Sequence, residues 1–122
     1  MPDLFDAIFA LSPLVRYVAR GGSGEPVLRE RVGIANASGS ESDRYEELLV
    51  NPTVLTLLQR RGRIDCGGLE YVLIRYGSFF QIVWPLADGH LSVAVEPWGD
   101  PLEVVAALRE KVPALAAEGV LR

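Results

Sequence analysis

If this chain carries out chemistry, its one histidine and one cysteine are the first places to look. His90 follows Asp88-Gly89 between two apolar runs, in FFQIVWPLADGHLSVAV at residues 79–95. A general base needs a nucleophile and an orienting group within hydrogen-bond reach, and a metal site needs several converging ligands. Neither pattern surrounds His90. Asp-Gly is hairpin chemistry, with glycine supplying a positive φ. The stretch therefore reads as a β-hairpin, with His90 a solvated passenger in its turn. Cys66, in DCGG, has Arg63 near it in sequence, but free cysteine usually packs as a small buried hydrophobe, and that is the expectation here.

Other motifs thin out on inspection. GGSG at 21–24 is followed by a strand pattern and no lysine, so it lacks the helix and the cation of a phosphate loop. Glu46-Glu47 are adjacent and read as solvated helix charge. There is no Gly-x-Ser-x-Gly elbow. Arg60, Arg61 and Arg63 form the one basic cluster, which either complements a helix C-terminus or meets an acidic partner. Trp98, in EPWGDP, is expected to pack over the start of the last helix. No catalytic, cofactor-binding or metal-binding residue is expected.

The elements that would position these residues are legible. Leu4, Phe5, Ile8, Phe9 and Leu11 recur at helical spacing after Pro2 and Asp3, until Pro13. Leu14–Arg20 and Val27–Ile34 alternate as strands across GGSGEP. A helix over Asp43–Arg61 follows, with a kink near Pro52 and Gly62 as its C-terminal glycine. Its apolar residues Leu48, Leu49, Val50, Val54, Leu55, Leu57 and Leu58 cover more than one stripe, so it needs two protein neighbours. Three strands come next: Leu69–Tyr76, Phe79–Leu86 and Leu91–Glu96. The middle one is apolar on both faces and needs cover on both. Asp100-Pro101-Leu102-Glu103 is a capping box opening a helix whose stripe is Leu102, Val105, Leu108, Val112 and Leu115, disturbed at Pro113. The fold class is α/β (α+β), αββαβββα, with a five-stranded, mainly antiparallel sheet and helices on both faces.

At 122 residues the chain reads as one domain, 1–122. A net charge of −4 argues against nucleic acid or an anionic membrane as the partner. One cysteine excludes an internal disulfide and suits a reducing, cytoplasmic setting. MPDLFDAIFALSP has no basic segment and is interrupted by Asp3 and Asp6, so it does not read as a signal peptide. The apolar runs fall short of the roughly 20 residues of a membrane helix.

The order of elements, together with NPTVLTLLQRRGRIDCGGLEYVLIRYGSFFQIVWPL, DGHLSVAVEP and DPLEVVAALREKV, resembles the roadblock/dynein-light-chain domain family across residues 4–116. Profilin-like and longin-like folds share much of the pattern, and the N-terminal region departs from the family more. The resemblance implies a non-enzymatic homodimer, without cofactor, that regulates or scaffolds a small Ras-like GTPase, including the bacterial gliding-motility type. In that arrangement the central helices of two subunits pack side by side and the Leu69–Tyr76 edges join. The interface would be Leu48, Leu49, Leu55, Leu58, Arg60, Arg61, Tyr71 and Leu73. The competing class is a small acidic chaperone of the type III secretion kind, binding an unfolded client in an apolar groove. A small-molecule sensor would need a pocket under the sheet lined by Trp84 or Tyr76, and too few polar groups converge in the sequence to expect one.

Overall fold

Residues 90–95, HLSVAV, alternate polar or small side chains with branched apolar ones. A strand of that pattern shows Leu91, Val93 and Val95 to one side and His90, Ser92 and Ala94 to the other. In the computed structural model, which describes residues 3–22 and 24–121, this strand is the middle of the sheet. The strands are β1 (Val15–Gly22), β2 (Val27–Glu30), β3 (Val72–Arg75), β4 (Phe80–Leu86) and β5 (Gly89–Val95). Their order is β2-β1-β5-β4-β3, and every neighbouring pair is antiparallel. The helices are α1 (Leu4–Phe9), α2 (Ser40–Tyr45), α3 (Asn51–Asp65) and α4 (Pro101–Ala117), and a π-helical turn, Glu46–Val50, joins α2 to α3. Element order and sheet are those the sequence implies.

The two faces of the sheet differ in kind. Val15, Val18, Ile82, Trp84, Leu91, Val93 and Val95 meet Leu4 and Ile8 of α1 and Val104, Val105, Leu108, Val112 and Leu115 of α4. This is the main core, and each fully buried side chain of this size contributes about 1.5–3 kcal/mol. The opposite face, beneath the central helix, has a small apolar cluster of Tyr17, Ala19 and Ala94. Arg16, Gln81, His90 and Ser92 are buried with it. A β-bulge between Val15 and Tyr17 accommodates Arg16.

The helix starts follow their caps. Asp3 Oδ1 accepts the Asp6 N–H at 2.8 Å, and Asp100 Oδ1 accepts the Leu102 N–H at 2.9 Å with Pro101 in the first turn. Pro2 lies outside the described residues. The buried stripe of α4 is Pro101, Val104, Val105, Leu108, Val112 and Leu115. Leu102 is exposed instead of buried, because Pro101 takes the core position of the first turn. Pro113 sits within α4 without ending it.

Three strand boundaries move for local reasons. β2 stops at Glu30 because the Arg31 guanidinium turns back to the carbonyls of Phe9, Ser12 and Val15. β3 starts at Val72: Tyr71 stacks on Trp84, with ring centroids 5.7 Å apart and planes 9° from parallel, and Glu70 is held by Arg109 on α4. β5 starts at Gly89, so His90 belongs to the strand and not to the turn. Gly89 has φ 152°, and a side chain there would collide with the Gly21 carbonyl oxygen.

The central helix also departs from expectation. Helical backbone runs from Ser40 to Asp65, and its disturbance lies before Pro52. A proline at 52 offers no N–H to the Leu48 carbonyl four residues back, and its ring crowds that carbonyl; the wider π turn makes room. Gly62 is not the terminating glycine. It is buried inside α3, where a Cβ would lie 3.0 Å from the Gly68 carbonyl group. Gly67, at φ 80°, follows the Cys66 cap and supplies the left-handed residue.

Candidate functional site

The residues by which the central helix meets the sheet are mostly not leucines. Glu47, Asn51, Leu55 and Gly62 are its buried positions. Glu47 lies over β1 and β5 and its carboxylate is fully buried. Oε2 accepts from the Tyr17 hydroxyl at 2.7 Å, and Oε1 accepts from Asn51 Nδ2 at 3.0 Å. His90 Nε2 faces Oε1 at 2.7 Å. A carboxylate only accepts, so this ring nitrogen carries the hydrogen. Ser92 Oγ extends the cluster, taking hydrogen bonds from Asn51 and from Gln81. Burial, then the Glu47 charge and hydrogen bond, push the Tyr17 hydroxyl far above its ordinary range, which keeps it a donor.

The hairpin was legible, but the solvated histidine is overturned: His90 is 2% exposed. Gly21 is the reason it fits. A Cβ at Gly21, directly across the ladder from His90, would lie 2.2 Å from His90 Cε1. The two glycines read as loop are therefore the end of β1, and they clear the space for an imidazole. Glu47 is likewise not solvated charge, and Glu46 is half-buried, its Oε1 accepting from the Tyr76 hydroxyl at 2.8 Å. The available signal was Glu47 and Asn51, one helical turn apart in an otherwise leucine-rich helix.

Next to this cluster a cavity of about 320 Å³ opens between α2, the π turn and the sheet. Tyr17, Tyr45, Tyr76 and Phe79 form aromatic walls, and Glu30, Asp43, Glu46 and Glu47 bring four carboxylates. The sequence had suggested too few converging polar groups for such a pocket under the sheet. They come from β1, β2, the helical segment at 42–47 and the segment around β3 and β4, which spacing alone does not reveal. Trp84, the other residue considered for a pocket, lies on the opposite face. Arg16 is the one basic side chain among the lining residues, and its donors are directed elsewhere: Nη1 to Glu96 at 2.7 Å and Nη2 to the carbonyls of Ala35 and Asn36. Burial, followed by the charges of Glu30, Glu47 and Glu46 and opposed by Arg16, pushes the Asp43 carboxyl up to about 6. Burial also raises Glu46, and burial, then the hydrogen bond and charge of Glu46, push the Tyr76 hydroxyl up to about 12. Among the described residues no group of three or more His, Cys, Asp or Glu is arranged to hold a metal ion.

No family model and no curated protein matches the chain. Among solved structures, the crystal structure of MglC from Myxococcus xanthus matches it with a TM-score of 0.56 at 16% identity, over 89% of this chain and 92% of that one. The two proteins share a fold. It is the roadblock-type arrangement, one antiparallel five-stranded sheet with helices on both faces. Among the described residues no helix is long and apolar enough to cross a membrane.

The residues that the resemblance placed at an interface divide into three groups. Leu48, Leu49 and Leu58 are 40%, 56% and 39% exposed, and Arg60 and Arg61 share the helix surface with them. Leu57, at 62%, belongs with this group. Leu55 is corrected: it is 5% exposed and packs inward, so it offers nothing to a neighbour. Leu73 is in register with Ile82 and so lies on the α4 side of the sheet, as does Tyr71 against Trp84. Arg61 pairs with Asp65 one turn on. Cys66 and Trp98 are exposed, against the expectation that both pack.

The titratable groups under the helix make their substitutions predictable. Glu47→Ala strands three donors in the interior and is expected to cost about 3–5 kcal/mol in denaturant unfolding. Glu47→Gln keeps one acceptor oxygen and costs less. His90→Ala, which a solvated residue would tolerate, is expected to cost about 2–3 kcal/mol. A neutral His90→Ala contradicts the cluster. Asp43 behaves oppositely. Its folded carboxyl holds its proton to higher pH than the ordinary 3.8, so stability is fully present below about pH 4 and is lost as pH rises through about 6. With allowance for solvent screening, Asp43→Asn is expected to stabilise by about 1 kcal/mol above pH 7 and to match the parent near pH 4.

Proposed function

We propose that this protein is a homodimeric regulator or scaffold of a small Ras-like GTPase, acting by binding and without chemistry of its own. The observation that carries the reading is the outward leucine face of the central helix. Leu48, Leu49, Leu57 and Leu58 are large apolar side chains held in solvent on a well-anchored helix. An apolar patch of that kind marks an interaction surface. β3 supports the reading from a second direction. It is an outer strand of the sheet, pairs with β4 alone, and its sequence VLIR carries a single charge. Such an edge is a template for strand addition unless something covers it. A two-fold pairing would cover both features with the same surface on each subunit. The fold shared with MglC and the resemblance of the sequence to roadblock domains supply the GTPase as the partner class.

The exposed Arg60 and Arg63 extend the apolar face with positive charge suited to an acidic contact. The chaperone alternative uses the same leucines for an extended client and predicts no effect on nucleotide turnover.

Sedimentation equilibrium at micromolar concentration is expected to show a dimer. Leu49→Asp combined with Leu57→Asp is expected to give a monomer with an unchanged far-ultraviolet circular dichroism spectrum. A parent protein that is monomeric at these concentrations removes the dimer. A dimer that co-purifies with an unfolded client, and leaves the nucleotide turnover of the organism's small GTPases untouched, removes the regulator.

A further inference from the structure

Four carboxylates facing one cavity are unfavourable unless something positive joins them. Within the chain that something is scarce. Glu47 is satisfied by Tyr17, Asn51 and His90, on the cavity's inner side. Glu46 is engaged through one oxygen by Tyr76 and has a second oxygen to offer. Among the described residues no side chain makes a hydrogen bond or ion pair to Asp43 or Glu30, and the Arg16 guanidinium is committed to Glu96, Ala35 and Asn36. The remaining wall is aromatic, with Tyr76 and Phe79 in tilted contact at 5.4 Å and Tyr45 60% exposed at the mouth. Aromatic faces next to carboxylates select an organic cation. The acids are not grouped to converge on a metal ion.

The geometry points to this cavity as the receptor for an arginine side chain of a protein partner, seated with its guanidinium between Tyr45 and Tyr76 and against Asp43 and Glu46. Guanidinium fits better than ammonium on two counts. It is flat, so it stacks on a ring while its fork meets a carboxylate, and it is less strongly hydrated, so entering an apolar-walled site costs less. A volume of about 320 Å³ takes one long side chain with room to adjust. A protein is the source because the mouth adjoins the apolar helix surface: Tyr45 at the rim is followed within a turn by the exposed Leu48 and Leu49. A partner covering those leucines has the mouth beneath it. The inference holds whether or not that partner is a GTPase, and it needs no dimer.

The test is a nuclear magnetic resonance titration of the full chain with N-acetyl-arginine methylamide, its uncharged isostere N-acetyl-citrulline methylamide and N-acetyl-lysine methylamide. Saturable shifts are expected at Tyr45, Asp43 and Tyr76 with the arginine probe, and binding of the citrulline probe about tenfold weaker or more, because it leaves the carboxylates unpaired. Asp43→Asn and, separately, Glu46→Gln are expected to weaken the arginine probe by about fivefold or more while circular dichroism and melting show each variant folded. Equal binding of arginine and citrulline overturns the proposal. So do shifts that fail to saturate, shifts that map away from the cavity, and shifts unchanged in both variants. A lysine probe as tight as arginine overturns the choice of guanidinium. No GTPase enters the experiment, so its failure leaves the regulator reading standing, and the reverse holds as well.

Discussion

The Glu47 carboxylate sits fully inside the protein, and the placement of the central helix depends on how it is satisfied. Removing a carboxylate from water costs several kcal/mol, which only close and well-aimed donors offset. Here the donors come from β1 through Tyr17, from β5 through His90 and from the helix itself through Asn51. Three elements must therefore be in place together. Sliding the helix by one residue would exchange Glu47 for Leu48 and leave two sheet donors facing methyl groups. The cluster acts on register more than on total stability, since a buried polar group is costly in every arrangement except the one that satisfies it.

What the helix shows to solvent follows from that constraint. The sheet beneath it is floored with Ala19, Ser92, Ala94 and Gly21, residues too small to make a deep apolar groove. The helix side that seats there carries Glu47, Asn51 and Gly62, with Leu55 the one large apolar residue buried in α3. The other leucines have nowhere inside to go. An ordinary amphipathic helix buries its apolar stripe and wets its polar one; around residues 47–51 this helix does the reverse, with Glu47 and Asn51 buried and Leu48 and Leu49 exposed. The π turn belongs to the same device. It absorbs Pro52 while keeping Glu47 and Asn51 on the sheet side.

The fold was largely legible because its signals are local. Period-two alternation gave the strands, Asp100-Pro101 gave the start of α4, and Asp88-Gly89 gave the β4–β5 hairpin. The excess of apolar residues on the central helix, more than the sheet can cover, was also legible. The direction in which that helix faces was not, because hydrophobicity argues for Leu48 and Leu49 inward and only the tertiary pairing of Glu47 with His90 argues otherwise. His90 itself was misread for the same reason. The Asp88-Gly89 turn signal beside it argues for solvent, and the glycine that makes room for it lies nearly seventy residues earlier, across the ladder at Gly21. The cavity escaped notice because Glu30, Asp43 and Tyr76 are brought together by β2, α2 and the end of β3, with no shared motif.

Two groups of acids thus lie side by side under one helix and have opposite characters, Glu47 fully buried and, at the cavity, Asp43 half-buried and Glu30 exposed. Glu47 is answered by donors of its own chain, so its polarity is structural and fixes how the helix sits. Asp43 and Glu30 have no such answer among the described residues, and burial, then the neighbouring carboxylates, push the Asp43 carboxyl up to about 6. A chain selected for stability alone would have an amide or an alcohol at such a position, since an uncharged side chain removes the repulsion at no loss of packing. Repulsion that the fold tolerates beside an open, aromatic-walled cavity has the sign of a site in wait for opposite charge. The leucines on the outer face of the same helix have the same logic in apolar terms. The central helix is thus satisfied on its inner side by Tyr17, Asn51 and His90, while its outer side leaves large apolar side chains in solvent.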